Sequence, residues 1–230
     1  ADDRLQLPGG EELFLALAKD LPDGQGGFKP NPNKNWNEVA ADLPAKPIEV
    51  LGPPPTSGTR DSFAELVMEK GAEKFESLAE LKKSDAKAFE KVWKSIREDG
   101  AYIDAGENDN LIVQKLESNP KAVGIFGFSF LEENTAKLKG VTIDGVEPTY
   151  DTISSGKYKG ARPLFVYVKK QHVGVIPGID KFVAEYVSSK AMSKDGYLAR
   201  KGLVALPKAE AETVAKAATA MTTLAGDKLH

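Results

Sequence analysis

The sequence predicts an α/β protein, and three observations predict it. Short strand patterns and helical patterns alternate along the chain, with no low-complexity tract and no internal repeat. Two apolar runs, Ile48 to Leu51 and Val123 to Phe128, read as strands buried in a sheet. The chain has 230 residues of which 41% are hydrophobic, enough to build a real core in one large or two small domains.

The elements follow in order. Glu11 to Lys19 is a helix with Leu13, Phe14 and Leu17 on one stripe. Pro22 to Asn35, rich in Gly, Pro and Asn, is a loop, and a short helix over Trp36 to Ala41 leads through Pro47 into the strand Ile48 to Leu51. A helix starting near Thr59 buries Phe63, Leu66 and Val67. Ser84 caps the next helix, whose Phe89, Val92, Trp93 and Ile96 recur at core-facing spacing. Tyr102 to Asp104 is a strand, Leu111 to Leu116 a helix closed by Asn119 and Pro120, and Val123 to Phe128 a strand. Asp151 to Tyr158 is a small helix with a turn, and Leu164 to Val168 a further strand. Beyond it the pattern is helical, over Ile179 to Ser188 behind Pro177 and Gly178, and over the alanine-rich Ala209 to Ala225.

Residues 52 to 62, Gly-Pro-Pro-Pro-Thr-Ser-Gly-Thr-Arg-Asp-Ser, join a strand to a helix through a turn suited to an oxyanion. The first amides of a helix lack intrahelical partners, and the aligned peptide dipoles concentrate positive charge there. Thr56, Ser57 and Thr59 add hydroxyls, Gly58 lets backbone approach a ligand, and Arg60 offers a planar fork of donors. Asp61 is placed to hold that guanidinium, and the prolines stiffen the approach. The bland alternative is an N-cap beside a surface ion pair. Asn108, with Asp109 and Asn110, is either a helix cap or a second contributor at the carboxyl end of the sheet, where doubly wound folds bind ligands. Gly127 to Ser129 could line the same crevice.

The runs GPPPTSGTRDSFAELVMEKG, NPNKNWNEV, AGENDNLIVQKLESNPKAVGIFGFSFLEEN, GVEPTYDTISSGKY, ARPLFVYVKK and DGYLARKGL resemble, in order and over nearly the whole chain, the periplasmic phosphate-binding proteins of bacterial high-affinity phosphate ABC importers. The resemblance implies a type II periplasmic binding protein, in which two α/β lobes joined by crossing strands close over one inorganic phosphate. Its implied partners are inorganic phosphate and ABC permease subunits, its compartment the periplasm. Members of that family are longer at the N-terminus, where a Ser/Thr turn, a further serine and an acidic acceptor for the phosphate hydrogen are supplied. No segment before Leu13 matches those elements. The expected organisation is therefore a contiguous α/β lobe over 1–162 carrying the anion turn, and over 163–230 the crossing strand Leu164 to Val168 with the C-terminal part of an incomplete second lobe. Apolar surface left on that strand and on the helix carrying Phe182, Val183 and Tyr186 is expected to cause self-association, or else poor order from about Ala209 onward. The absence of a signal peptide fits a mature, processed or recombinant form.

Other chemistries are excluded or disfavoured by inspection. With 31 basic and 34 acidic side chains the formal charge is -3, against a general nucleic-acid or anionic-membrane surface. There is no cysteine, hence no disulfide, thiolate metal site or cysteine nucleophile. No apolar run is long enough for membrane insertion. Neither Gly-x-x-x-x-Gly-Lys-Ser/Thr nor a Gly-x-Gly-x-x-Gly following a strand occurs. His172 and His230 stand apart from any second ligand, so no metal is expected. Ser57 has no neighbouring histidine and no Gly-x-Ser-x-Gly, so no catalytic residue, cofactor or enzymatic activity is expected. The Lys82-Lys83 and Lys169-Lys170 pairs are solvated faces. Two alternatives stand beside phosphate capture: a truncated or engineered lobe with weak or no phosphate binding, and, less favoured, a phosphoester hydrolase using the same cradle.

Overall fold

The computed structural model describes residues 9–225. They divide into two compact units, one comprising the residues up to Thr149 with Tyr158–Arg162, the other Tyr150–Lys157 with the residues from Pro163 onward. His230 lies outside the described residues.

In the first unit, α1 (Gly10–Leu17) buries Leu13, Phe14, Ala16 and Leu17. The segment read as a loop contains a hairpin, β1 (Asp20–Pro22) antiparallel to β2 (Phe28–Pro30). Its turn is closed by Asp23, whose Oδ1 accepts from the amides of Gln25 and Gly27, a local exchange that Asx residues favour. Next comes α2 (Trp36–Val39), opened by a capping box in which Asn35 and Glu38 exchange hydrogen bonds. The central strand is β3 (Val50–Gly52), followed by α3 (Gly58–Phe63), which runs through one π-helical stretch, Ala64–Met68, into α4 (Glu69–Ala72). A Cβ at Gly71 would collide with the Gly10 carbonyl, so glycine lets α4 approach the start of α1 this closely. Two helices of nine residues each follow, α5 (Glu76–Ser84) and α6 (Ala86–Lys94). Ser84 ends α5 instead of capping α6; the cap is Asp85, which accepts from the Ala88 amide at 3.0 Å. Then come β4 (Tyr102–Asp104), α7 (Asp109–Ser118), β5 (Val123–Gly124) and α8 (Phe128–Glu133). The predicted strand over Val123 to Phe128 is thus shorter, because α8 begins at Phe128.

The three later strands form one parallel sheet in the order β4-β3-β5, with Val50 opposite both Tyr102 and Val123. Successive strand residues point to opposite faces, and each face has its own core. Val50 and Tyr102 pack with Phe14, Trp36, Met68, Phe89 and Trp93, whereas Leu51 packs with Ala105, Ile112 and Leu116. Helices therefore cover both faces, as in a doubly wound sheet. The chain goes from β3 to β4 on one side and then returns to β5 on the other, so the order reverses at β3. Its carboxyl end is the topological switch point where open α/β sheets leave a crevice.

The second unit is helical: α9 (Tyr150–Ser154), α10 (Ile179–Tyr186), α11 (Ser189–Met192) and α12 (Lys208–Thr219). Tyr150 accepts from the Ala205 amide at 3.0 Å and Ser154 donates to the Ala205 carbonyl at 2.6 Å, tying α9 to the approach to α12. Leu164 to Val168 is not a strand, contrary to the sequence expectation. A run of five apolar residues suits a strand covered on both faces, and among the described residues no strand pairs with it. Its side chains are exposed, Leu164 by 72%, and Phe182 by 58%, while Val183 is buried. The alanine-rich segment is helical over Lys208–Thr219. Among the described residues no helix is long and apolar enough to cross a membrane.

Candidate functional site

The site grows from the end of β3. Pro53, fully buried, leaves the strand, and the Ser57 amide donates to the Pro54 carbonyl at 3.0 Å, closing a turn onto α3. Ser57 is the N-cap: extended backbone, a buried side chain and an Oγ that accepts from the Thr59 amide at 3.2 Å. This satisfies one of the orphan amides at the helix start. The amides of Gly58 and Arg60 precede the first intrahelical donor, since the Asp61 amide is the first to reach back, to the Ser57 carbonyl at 3.1 Å. The Ser57 hydroxyl keeps its proton for an outside acceptor.

Gly58 is informative because nothing in the fold demands it. A Cβ there would meet no atom within 4 Å. Space above the helix start is open, which is what a ligand needs.

Arg60 lies with its guanidinium 4.2 Å from the centroid of the Tyr102 ring, and Nη1 donates to the Pro53 carbonyl at 3.4 Å. Tyr102, on the neighbouring strand, donates its own hydroxyl to that carbonyl at 2.7 Å. The Tyr102 hydroxyl is pushed above its usual pKa chiefly by burial, against an opposing pull from Arg60. Asp61 is exposed and, among the described residues, forms no ion pair with Arg60, so the expected carboxylate clamp is replaced by an aromatic one. Thr56 is exposed and donates to Glu107 Oε1 at 2.7 Å, which joins the turn after β3 to the turn after β4. Its hydroxyl proton is thereby engaged. Asn108 caps α7, accepting from the Asn110 amide at 3.0 Å. Asp109 reaches across to the loop after β5 and accepts from the Gly127 amide at 3.1 Å. The loops after all three parallel strands are thus cross-linked at one end of the sheet.

Thr56, Ser57, Gly58, Thr59 and Arg60 are therefore brought to the switch point, with Asn108 on the neighbouring turn. The sequence reading missed Tyr102, Pro53 and Glu107. Only the Tyr102 position on a predicted strand could have hinted at the first. His172 sits in a short 3-10 turn, Lys170–His172, of the second unit. Among the described residues no group of three or more His, Cys, Asp or Glu could hold a metal ion.

A family model described as a PBP superfamily domain matches residues 10–190. The chain belongs to the PBP superfamily. Curated relatives include the phosphate-binding protein PstS of Staphylococcus saprophyticus, 30% identical over 203 residues, a match covering 86% of this chain and 51% of the relative. The protein SphX of Synechococcus elongatus is 31% identical over 195 residues, covering 82% of this chain and 46% of SphX. The chain spans about half the length of the curated relatives it matches. Among solved structures, a possible phosphate binding protein from Planctomyces limnophilus is 27% identical with a TM-score of 0.65, covering 96% of this chain and 68% of that one. PstS from Borrelia burgdorferi, at 19% identity and a TM-score of 0.56, shares the fold.

Proposed function

We propose that this chain binds inorganic phosphate at the turn Thr56 to Arg60, as the ligand-holding part of a periplasmic solute-binding protein that delivers phosphate to an ABC permease. One observation carries the reading. The amides of Gly58 and Arg60, the hydroxyls of Ser57 and Thr59 and the Arg60 side chain all belong to the one turn that follows the central strand, and a Cβ on Gly58 would meet no atom within 4 Å. Donors of this kind match a tetrahedral oxyanion, and the helix start adds favourable potential. Each charge-assisted bond contributes roughly 1.5 to 3 kcal/mol, so four or five near the upper end of that range reach about micromolar affinity after ordering costs of about 4 kcal/mol. Thr56 acts at the rim, through Glu107, and Asn108 supports the neighbouring turn. Asp61 contributes to the potential only at a distance.

The chemistry is capture and release. Ser57 Oγ accepts from the Thr59 amide, and among the described residues no base is hydrogen-bonded to it, so the role proposed for it is binding. Similarity to the phosphate-binding protein PstS and to a possible phosphate binding protein supports the ligand assignment. A second reading, a partial protein with weak phosphate affinity, is favoured by the half-length match to the curated relatives. Self-association through the exposed apolar side chains of the second unit belongs to that reading. Calorimetric titration of phosphate into the parent and into Arg60→Ala decides between them: heats that depend on Arg60 support capture at this turn, and no heat with the parent rejects it.

A further inference from the structure

Arginine in the first turn of a helix has a long, freely rotating side chain, and something must aim it if it is to meet an anion. The usual device is a carboxylate, which fixes the guanidinium but neutralises it and occupies two of its donors. No ion pair involving Arg60 is present among the described residues. Its guanidinium instead lies over the Tyr102 ring at 4.2 Å, within the roughly 6 Å reach of a cation–π contact.

The ring is itself fixed. Tyr102 is only 7% exposed, in the core beside Val50, and its hydroxyl donates to the Pro53 carbonyl at 2.7 Å. The neighbouring position on β3 is Gly52, where a Cβ would collide with the Tyr102 hydroxyl and lie 2.7 Å from Cζ. Tyr102 thus crosses over β3 in a slot that only glycine leaves open. It reaches the first carbonyl of the anion turn, and the same carbonyl receives Arg60 Nη1 at 3.4 Å. One aromatic side chain therefore holds the turn with its hydroxyl and the guanidinium with its face.

We infer that Tyr102 is the positioning residue of the anion site: it aims the Arg60 guanidinium at the turn through its ring while leaving that cation's charge and most of its donors for the ligand. Gly52 is the accompanying small residue that makes the crossing possible. The inference rests on the phosphate-binding reading and adds to it how the one cation of the cradle stays both fixed and un-neutralised.

The test uses Tyr102→Leu, Tyr102→Phe, Arg60→Ala and the Arg60→Ala/Tyr102→Leu double variant of the full chain, each titrated with inorganic phosphate and each checked by thermal unfolding. Losing the ring is expected to weaken phosphate binding about tenfold, and Tyr102→Phe, which keeps the ring, to restore affinity to within about threefold of the parent. In the Arg60→Ala background Tyr102→Leu is expected to add nothing further, a coupling that a merely structural tyrosine would not produce. The parent supplies a readout that survives a poorly folding variant: the Arg60 Nε proton is expected upfield of its ordinary position, because Cζ, to which Nε is bonded, lies 4.2 Å from the Tyr102 ring centroid. Absence of that shift overturns the inference. So does Arg60-dependent phosphate binding that Tyr102→Leu leaves unchanged, or a Tyr102→Leu loss that is fully retained without Arg60. No phosphate heat in the parent, with the ring shift present, is the distinct signature of failure of the phosphate reading, and the positioning role falls with it.

Discussion

Two glycines six positions apart, Gly52 and Gly58, are expected to respond oppositely to alanine. At Gly52 the new Cβ collides with the Tyr102 hydroxyl and sits 2.7 and 2.9 Å from Cζ and Cε2, so the ring must move. Arg60 lies against its face at 4.2 Å and restricts its retreat. Two costs add. Overpacking of a filled core contributes about 1 to 3 kcal/mol, and leaving the buried Pro53 carbonyl without the Tyr102 donor about 1 to 3 kcal/mol more. The sum, about 2 to 6 kcal/mol, is a large part of the roughly 5 to 15 kcal/mol that ordinarily separates native from unfolded. At Gly58 no atom lies within 4 Å of the added Cβ, and alanine in a helical turn is favoured by about 0.5 to 1 kcal/mol. Urea unfolding followed by tryptophan fluorescence reads both, because Trp36 and Trp93 lie in the core of the first unit. Gly52→Ala is expected to lower the midpoint strongly and Gly58→Ala to leave it level or raise it, while Gly58→Ala weakens phosphate binding. A parental midpoint for Gly52→Ala, or a destabilised Gly58→Ala, would refute the reasoning.

Two further outcomes are expected. Burial pushes the Tyr158 hydroxyl from 10.0 up to about 12, so its stabilising share is complete below pH 10 and is lost as pH rises through that window, at up to about 1.4 kcal/mol per pH unit. Stability profiles of the parent and Tyr158→Phe between about pH 9 and 12 are expected to diverge with the parent falling faster; parallel profiles would contradict this. Exposure of Leu164, Phe165 and Val166 in the second unit predicts concentration-dependent association in sedimentation velocity, reduced by Leu164→Ser with Val166→Ser, and a monomer at every concentration would count against it.

Much of the first unit was legible because its signals are local. Residues 48–51 read as a strand on apolar run length, and the strand found is Val50–Gly52, shifted toward the turn. Ser57 before Gly58 and Thr59 announced a cap, and the helix starts there. What escaped depends on partners distant in sequence or on competition between neighbours. Ser84 and Asp85 are both good caps, and Asp85 won because α5 continues through Ser84. The β1–β2 hairpin is too short and too rich in turn residues to show an alternating pattern. The clamp on Arg60 was assigned to Asp61, its neighbour in sequence, whereas the structure gives it to Tyr102 through strand pairing that places Gly52 opposite Asp104 and Tyr102 opposite Val50. Leu164 to Val168 reads in the sequence as a crossing strand, but a strand requires neighbours to pair with, and among the described residues none pairs with it.

The central claim is that the turn Thr56 to Arg60 is a phosphate cradle whose cation is Arg60. Its most direct test is isothermal titration of inorganic phosphate into the parent chain and Arg60→Ala in the same buffer. The account predicts saturable binding at micromolar concentration or tighter, weakened by about 2 kcal/mol, or roughly thirtyfold, when the guanidinium is removed. Equal affinities in the two proteins, or no saturable heat in the parent, would contradict it.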